Sequence, residues 1–103
     1  MGVKIYRAAQ SRLLEVWNYT EATWGEEQAD AYVRELVEAA HRLPDERPGW
    51  RPVKDRVVRG VFLVRHRHHY LFFRELGGGE IGGINVLHEA MDIPARLRED
   101  AGV

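Results

Sequence analysis

The chain predicts an α+β fold of order β-α-α-β-β-β, an antiparallel sheet carrying an N-terminal helical hairpin. Three features predict it. Two helical stripes meet at a single glycine, and a proline-marked loop follows them. The chain then turns β-branched and aromatic from Val57 onward. At 103 residues it is expected to form one domain over 1–103, with room for one modest core.

The element order follows from period changes along the chain. "VKIYR" (3–7) alternates, with Val3, Ile5 and Arg7 on one face and Lys4 and Tyr6 on the other, and reads as a short strand. Ala9, Leu13, Val16, Trp17, Thr20 and Trp24 then recur at helical spacing. Gly25 ends that helix, because glycine tolerates the left-handed backbone that closes one. A second stripe runs Ala29, Tyr32, Val33, Leu36, Val37, Ala40 and Leu43, with Glu26 and Glu27 at its positive N-terminal end and Pro44 at its close. So short a connection folds the two helices back as an antiparallel hairpin.

Pro44, Pro48 and Pro52 mark a loop over 44–55. "RVVRGVFLV" (56–64) and "HHYLFFREL" (68–76) read as strands with a reversal near 65–68. "GGGE" (77–80) turns the chain into a last strand, "IGGINVLHE" (81–89). "DIPARLRED" (92–100) reads as a short helix that Asp92 can cap, with Pro94 in its first turn.

Composition removes several chemistries. Hydrophobic residues at 45% and charged residues at 30% describe a globular chain, and a net charge of −1 argues against broad binding to nucleic acid. There is no cysteine for disulfides, thiolate catalysis or thiolate zinc sites. The N-terminus has no apolar run of the kind a secretory signal or membrane span requires, so the cytoplasm is the expected compartment. Ser11, the only serine, has no nucleophile-elbow context, and "LGGGEIGG" lacks the lysine and helix of a phosphate loop.

His66, His68 and His69 raise the question of a metal. On one continuous strand His66 and His68 would share a face while His69 points away with Leu71 and Phe73, half a ligand set at best. "HEAMD" (88–92) has Asp92 where the zinc motif HExxH needs its second histidine. No metal and no cofactor are expected. Arg51, Lys54, Arg56, Arg59, Arg65, Arg67 and Arg74 make this the most basic stretch, either a solvated face or a grip for carboxylates or phosphates. Gly82 and Gly83 interrupt a strand and mark a bulge or the close approach of another backbone.

Read in order, these pieces resemble the ParE branch of the RelE/ParE toxin superfamily over nearly the whole chain. The resemblance rests on "LLEVWNYTEATWG", on "EEQADAYVREL" and the proline loop, and on "HHYLFFRE" and "INVLHEAMDIPARL". It implies a RelE/ParE-like fold and a toxin inhibited by a ParD-like antitoxin in a hetero-oligomer. When free, such a toxin inhibits DNA gyrase without catalysis of its own. It implies no membrane association and no direct sequence-specific binding to nucleic acid. On this reading Trp17, Trp24, Tyr32, Leu36, Arg59, Arg74, Gly82 and Gly83 face the antitoxin, the two glycines by admitting its backbone. His69, Asn85, His88, Met91 and Asp92 face the target. The chain departs from the family pattern at Asn85, where an arginine is common, and in its near-neutral charge. The alternative is a RelE-like ribosome-dependent endoribonuclease using Arg59, Arg74, His69 and His88. A third possibility is a toxin fold that binds antitoxin but no longer harms the cell.

Overall fold

Gly25 organises the N-terminal half. In the computed structural model, which describes residues 2–54 and 59–100, it has φ +96°, a backbone that L side chains rarely adopt. Its N–H bonds Glu21 O at 2.9 Å and its carbonyl accepts Ala29 N at 3.1 Å, so one residue both ends α1 (Arg7–Trp24) and starts α2 (Glu26–Arg42). Trp17 Nε1 donates to Asp30 Oδ1 at 2.8 Å and ties the two helices together. Pro44 and Pro48 each sit in a single 3-10 turn, Leu43–Asp45 and Arg47–Gly49.

Five strands form one sheet: β1 (Val3–Ile5), β2 (Arg51–Pro52), β3 (Phe62–His66), β4 (His69–Glu75) and β5 (Ile81–His88), in the order β1-β5-β4-β3-β2. Two details refine the expected order. The two-residue β2 is an additional edge strand, and β1 pairs β5 in parallel, so the sheet is mixed. The parallel pairing follows from the hairpin: two antiparallel helices return the chain to the side it left, and β5 fills the place next to β1. The first part of the expected strand 56–64, residues 56–58, lies outside the described residues.

The sheet is covered on both faces. Val16, Leu36, Ala39, Ala40 and Leu43 of the helical side pack on Leu71, Phe73, Ile81 and Val86. The opposite face carries Val61, Phe72 and Leu87 beneath Leu97 of α3 (Ile93–Asp100). Asp92 caps that helix as expected, its Oδ1 accepting Ala95 N at 3.3 Å. No helix among the described residues is long and apolar enough to cross a membrane.

Arg67 and His68 form the two-residue turn between β3 and β4, and Arg67 has φ +54°. The first central position of such a turn favours glycine. Arg67→Gly is therefore expected to stabilise the fold by about 0.5–1 kcal/mol, because the exposed Arg67–Glu35 ion pair it removes contributes little. A rise in the urea midpoint at unchanged slope would check this.

Candidate functional site

At the β3–β4 turn end of the sheet, four histidines gather around one tyrosine. Because the reversal falls at Arg67 and His68, His66 closes β3 directly opposite His69, which opens β4. The expected grouping of His66 with His68 is thereby corrected. His66 and His69 share the hairpin face, where their rings lie 6.2 and 5.3 Å from that of Tyr32, while His68 sits in the turn. His88 pairs with His69 across β4 and β5, ring to ring at 5.0 Å.

Tyr32 and His69 make a closed pair. Tyr32 Oη lies 2.5 Å from His69 Nδ1. Burial pushes the His69 imidazole down to about 4, and the neighbouring His88, His68 and His66 push the same way. Burial raises the Tyr32 phenol, against the opposing pull of a backbone hydrogen bond at His68. A neutral imidazole beside a protonated phenol sets the direction: the hydroxyl donates to Nδ1, and His69 carries its proton on Nε2.

Two of the other histidines, His66 and His68, are held by carboxylates. His66 Nε2 and Arg67 Nε each lie 3.1 Å from Glu35 Oε1. His68 Nδ1 lies 3.1 Å from Glu89 Oε1, and Arg65 holds Glu89 Oε2 at 2.6 Å. The His68 hydrogen bond and then the Arg65 charge hold the Glu89 carboxyl below its usual range. His88 Nδ1 accepts Ala90 N at 3.0 Å. Among the described residues no group of three or more His, Cys, Asp or Glu side chains is placed to hold a metal.

Tyr32, His68, His69 and His88 of this cluster line an open groove of about 940 Å³ between α1 and the end of the sheet. Tyr19 and Trp24 stand on its rim at 72% and 70% exposure, with Met91 opposite at 36%. Tyr32, His69, His88, Met91 and Trp24, all singled out from the sequence, are brought together here. Tyr19, Arg12, Gln28, Arg67 and His68 also line it. Tyr19 could have been noticed as an aromatic residue off the apolar stripe of its helix.

Other expected site residues lie elsewhere. Leu36 is fully buried in the core, so it supports the hairpin and offers no surface to a partner. Gly82 and Gly83 do admit a close backbone, but it is the chain's own: they pair Lys4 and Ile5, and a Cβ at Gly83 would lie 3.5 Å from Lys4 O. No room remains there for an antitoxin backbone. Asn85 is 2% exposed, at a bulge where Phe72 pairs Asn85, Phe73 pairs Gly83 and Ile84 is passed over. Its Oδ1 accepts Val86 N at 2.9 Å, so a surface role in target contact is corrected to one of shaping the strand. Trp17 is half-buried against Asp30, Arg59 is exposed with a partner of its own, and Asp92 is committed to α3. Arg74 sits in β4 on the face away from the hairpin, opposite to that of His69 and His88.

Comparison with known proteins agrees with this architecture. Residues 3–93 match the family model described as ParE toxin of type II toxin-antitoxin system, parDE. The chain is 37% identical over 90 residues to Toxin ParE1 of Mycobacterium tuberculosis, covering 87% of this chain and 91% of that protein. Its fold is similar to a chain of the chromosomal ParDE toxin–antitoxin system from P. aeruginosa, with a TM-score of 0.70 and 22% identity, covering 85% of this chain and 95% of the other. It is also similar to a chain of the toxin-antitoxin complex RelBE2 from Mycobacterium tuberculosis, with a TM-score of 0.64 and 18% identity, covering 84% and 95%. The chain belongs to the ParE toxin family of type II toxin–antitoxin systems.

Proposed function

We propose that this toxin is inhibited by a ParD-like antitoxin in a cytoplasmic hetero-oligomer and, when free, inhibits DNA gyrase without catalysing a reaction of its own. The observation that carries the reading is the family match over residues 3–93. The groove supports a protein partner, since Tyr19, Trp24 and Met91 leave large apolar surface in water beside Tyr32. Trp24 and Tyr32 would meet the antitoxin, with Trp17 supporting the helix pair behind them and Arg59 and Arg74 pairing its acidic residues. His88 and Met91 at the far wall would meet the target, with His69 and Asp92 holding that wall in place.

One observation favours a second reading, a RelE-like endoribonuclease: His69, His88 and Tyr32 stand together beside Arg67 in an open groove. Two observations weigh against it. Arg74, part of the expected catalytic set, is on the other face of the sheet from both histidines. A His69 imidazole at about 4 is also a weak base at neutral pH.

Expression from a tight promoter, with and without a ParD-like antitoxin, tests the proposal. Filamentation with DNA damage, relieved by the antitoxin, is the expected result, together with loss of gyrase supercoiling in a purified assay. Rapid translation arrest with cleaved messenger RNA would replace it with the nuclease reading. Unimpeded growth would leave a toxin fold without a toxin's effect.

A further inference from the structure

The two histidines that pair across β4 and β5 carry their hydrogens on the same ring atom. His69 Nδ1 accepts from the Tyr32 hydroxyl, and His88 Nδ1 accepts from the Ala90 N–H at 3.0 Å. A ring that accepts at Nδ1 is neutral and holds its hydrogen on Nε2, so both Nε2 atoms are donors. Among the described residues neither meets an acceptor, and neither is sealed: Arg74 Nε alone is a buried side-chain nitrogen without a hydrogen bond. The rings stand 5.0 Å apart and both line the groove, so the two N–H groups open onto one space.

The surroundings of this pair narrow the ligand. The arginines around the wall are already matched: Arg12 by Glu15 at 3.0 Å, Arg67 by Glu35 at 3.1 Å and Arg65 by Glu89 at 2.6 Å. A carboxylate drawn in here would shed its water without gaining a cation. A phosphate chain is held by a row of cations, and these are neutralised. The tautomers also disfavour a metal, because hydrogen occupies the Nε2 lone pair through which each ring would bind it. Val86, Met91, Tyr19 and Trp24 give the rest of the groove a largely apolar lining. Two neutral donors in such a wall match an uncharged acceptor. A polypeptide segment brings one at every residue, since each buried main-chain carbonyl needs a donor.

We propose that His69 and His88 form a carbonyl-binding pair, donating through Nε2 to main-chain carbonyls of a protein segment seated in the groove. Which protein that is rests on the function proposed above; the class of acceptor rests on the tautomers and the matched charges. His88 is the donor that can be removed cleanly. Asparagine places its Oδ1 about where Nδ1 lies, so His88→Asn keeps the bond from Ala90 N–H and deletes the Nε2 donor. His88→Gln does the opposite: its amide reaches the Nε2 position and leaves Ala90 N–H without its acceptor.

The test follows the imidazole nitrogen resonances of the isolated full-length chain, labelled and made in a cell-free system, at mildly alkaline pH. Both rings are expected to show hydrogen on Nε2 alone; hydrogen on Nδ1 of either would overturn the pair. The probe is a capped Leu-Ala-Leu peptide, with isovalerate and inorganic phosphate alongside it. The peptide is expected to shift both Nε2–H resonances, to bind more tightly than either anion, and to bind equally at low and high salt. His88→Asn should weaken its binding about three- to tenfold, and His88→Gln by less than about twofold. The reverse ranking would reduce His88 to a cap for the Ala90 turn and sink the proposal. So would the absence of any shift, or tighter binding of isovalerate or phosphate, the last in favour of the nuclease reading. No antitoxin or gyrase enters this titration, so a failed growth-arrest experiment leaves its result standing, and the reverse also holds.

Discussion

Replacing Phe73 with alanine is expected to lower the unfolding free energy by about 3–5 kcal/mol, the usual range for deleting a buried aromatic ring. Phe73 is fully buried, its ring edge-on to Trp50 at 4.8 Å and stacked with Phe62 at 6.0 Å. Its partner on β5 is Gly83, which has no side chain to move into the space. The cavity would therefore stay open at the centre of the helix-facing core. Domains of this size are stable by only about 5–15 kcal/mol, so the variant would lose a large share of its stability. Urea denaturation followed by circular dichroism measures the loss. Trp24→Ala is the comparator: that side chain is 70% exposed, and its removal should change stability by no more than about 0.5 kcal/mol. If the two variants unfolded alike, the packing described around Phe73 would be wrong.

The second large effect is on pH dependence. His69 is 8% exposed and its pKa is pushed down to about 4 from the ordinary 6.5. The unfolded chain therefore takes up this proton near pH 6.5 and the folded chain only near pH 4. The stability linked to a neutral His69 is complete above pH 6.5, declines as pH falls toward 4, and changes no further below that. Across the window the loss amounts to about 3 kcal/mol. Glu89, whose carboxyl is held below its usual 4.5, adds a loss of the same sign at more acidic pH. Denaturation series spanning the window should show the decline in the parent protein and a flatter profile in His69→Phe. A parent profile already flat between those values would mean that His69 is solvated and titrates normally.

Much of the architecture is legible in local sequence pattern because local physics decides it. Ala29, Leu36 and Ala40 repeat at helical spacing and are the buried face of α2. Gly25 is the only residue between the helices and carries the positive φ that the junction requires. The alternation in "VKIYR" correctly sets Val3 against the core and Lys4 and Tyr6 on the other face. Gly82 and Gly83 were legible as a bulge or a close approach, and both features are present around them.

What was not legible depends on which distant segments meet. Nothing in residues 81–83 says that the approaching backbone is the chain's own first strand. Leu36 belongs to the same stripe as Tyr32, yet one is sealed under the sheet and the other opens onto the groove. Stripe position does not reveal where a sheet ends. The histidines show the same limit at closer range. Placing the turn one or two residues differently exchanges which of them share a face. The groove itself is bounded by α1, α2, two strands and the segment after β5, so only the assembled fold brings Tyr19 to Met91.

The parallel pairing of β1 with β5 also orders events in time. Val3 waits for Ile81, and Ile5 for Gly83, so the N-terminal strand has no lateral partner until most of the chain exists. Contacts this distant in sequence form late and slowly. During synthesis the helical hairpin can assemble early, but the sheet closes only once β5 has left the ribosome. The far wall of the groove, His88 through Met91, follows in the same stretch. A nascent or prematurely terminated copy therefore lacks both the closed sheet and that wall. On the proposed function, an antitoxin present during synthesis would have the whole translation time before the last strand arrives.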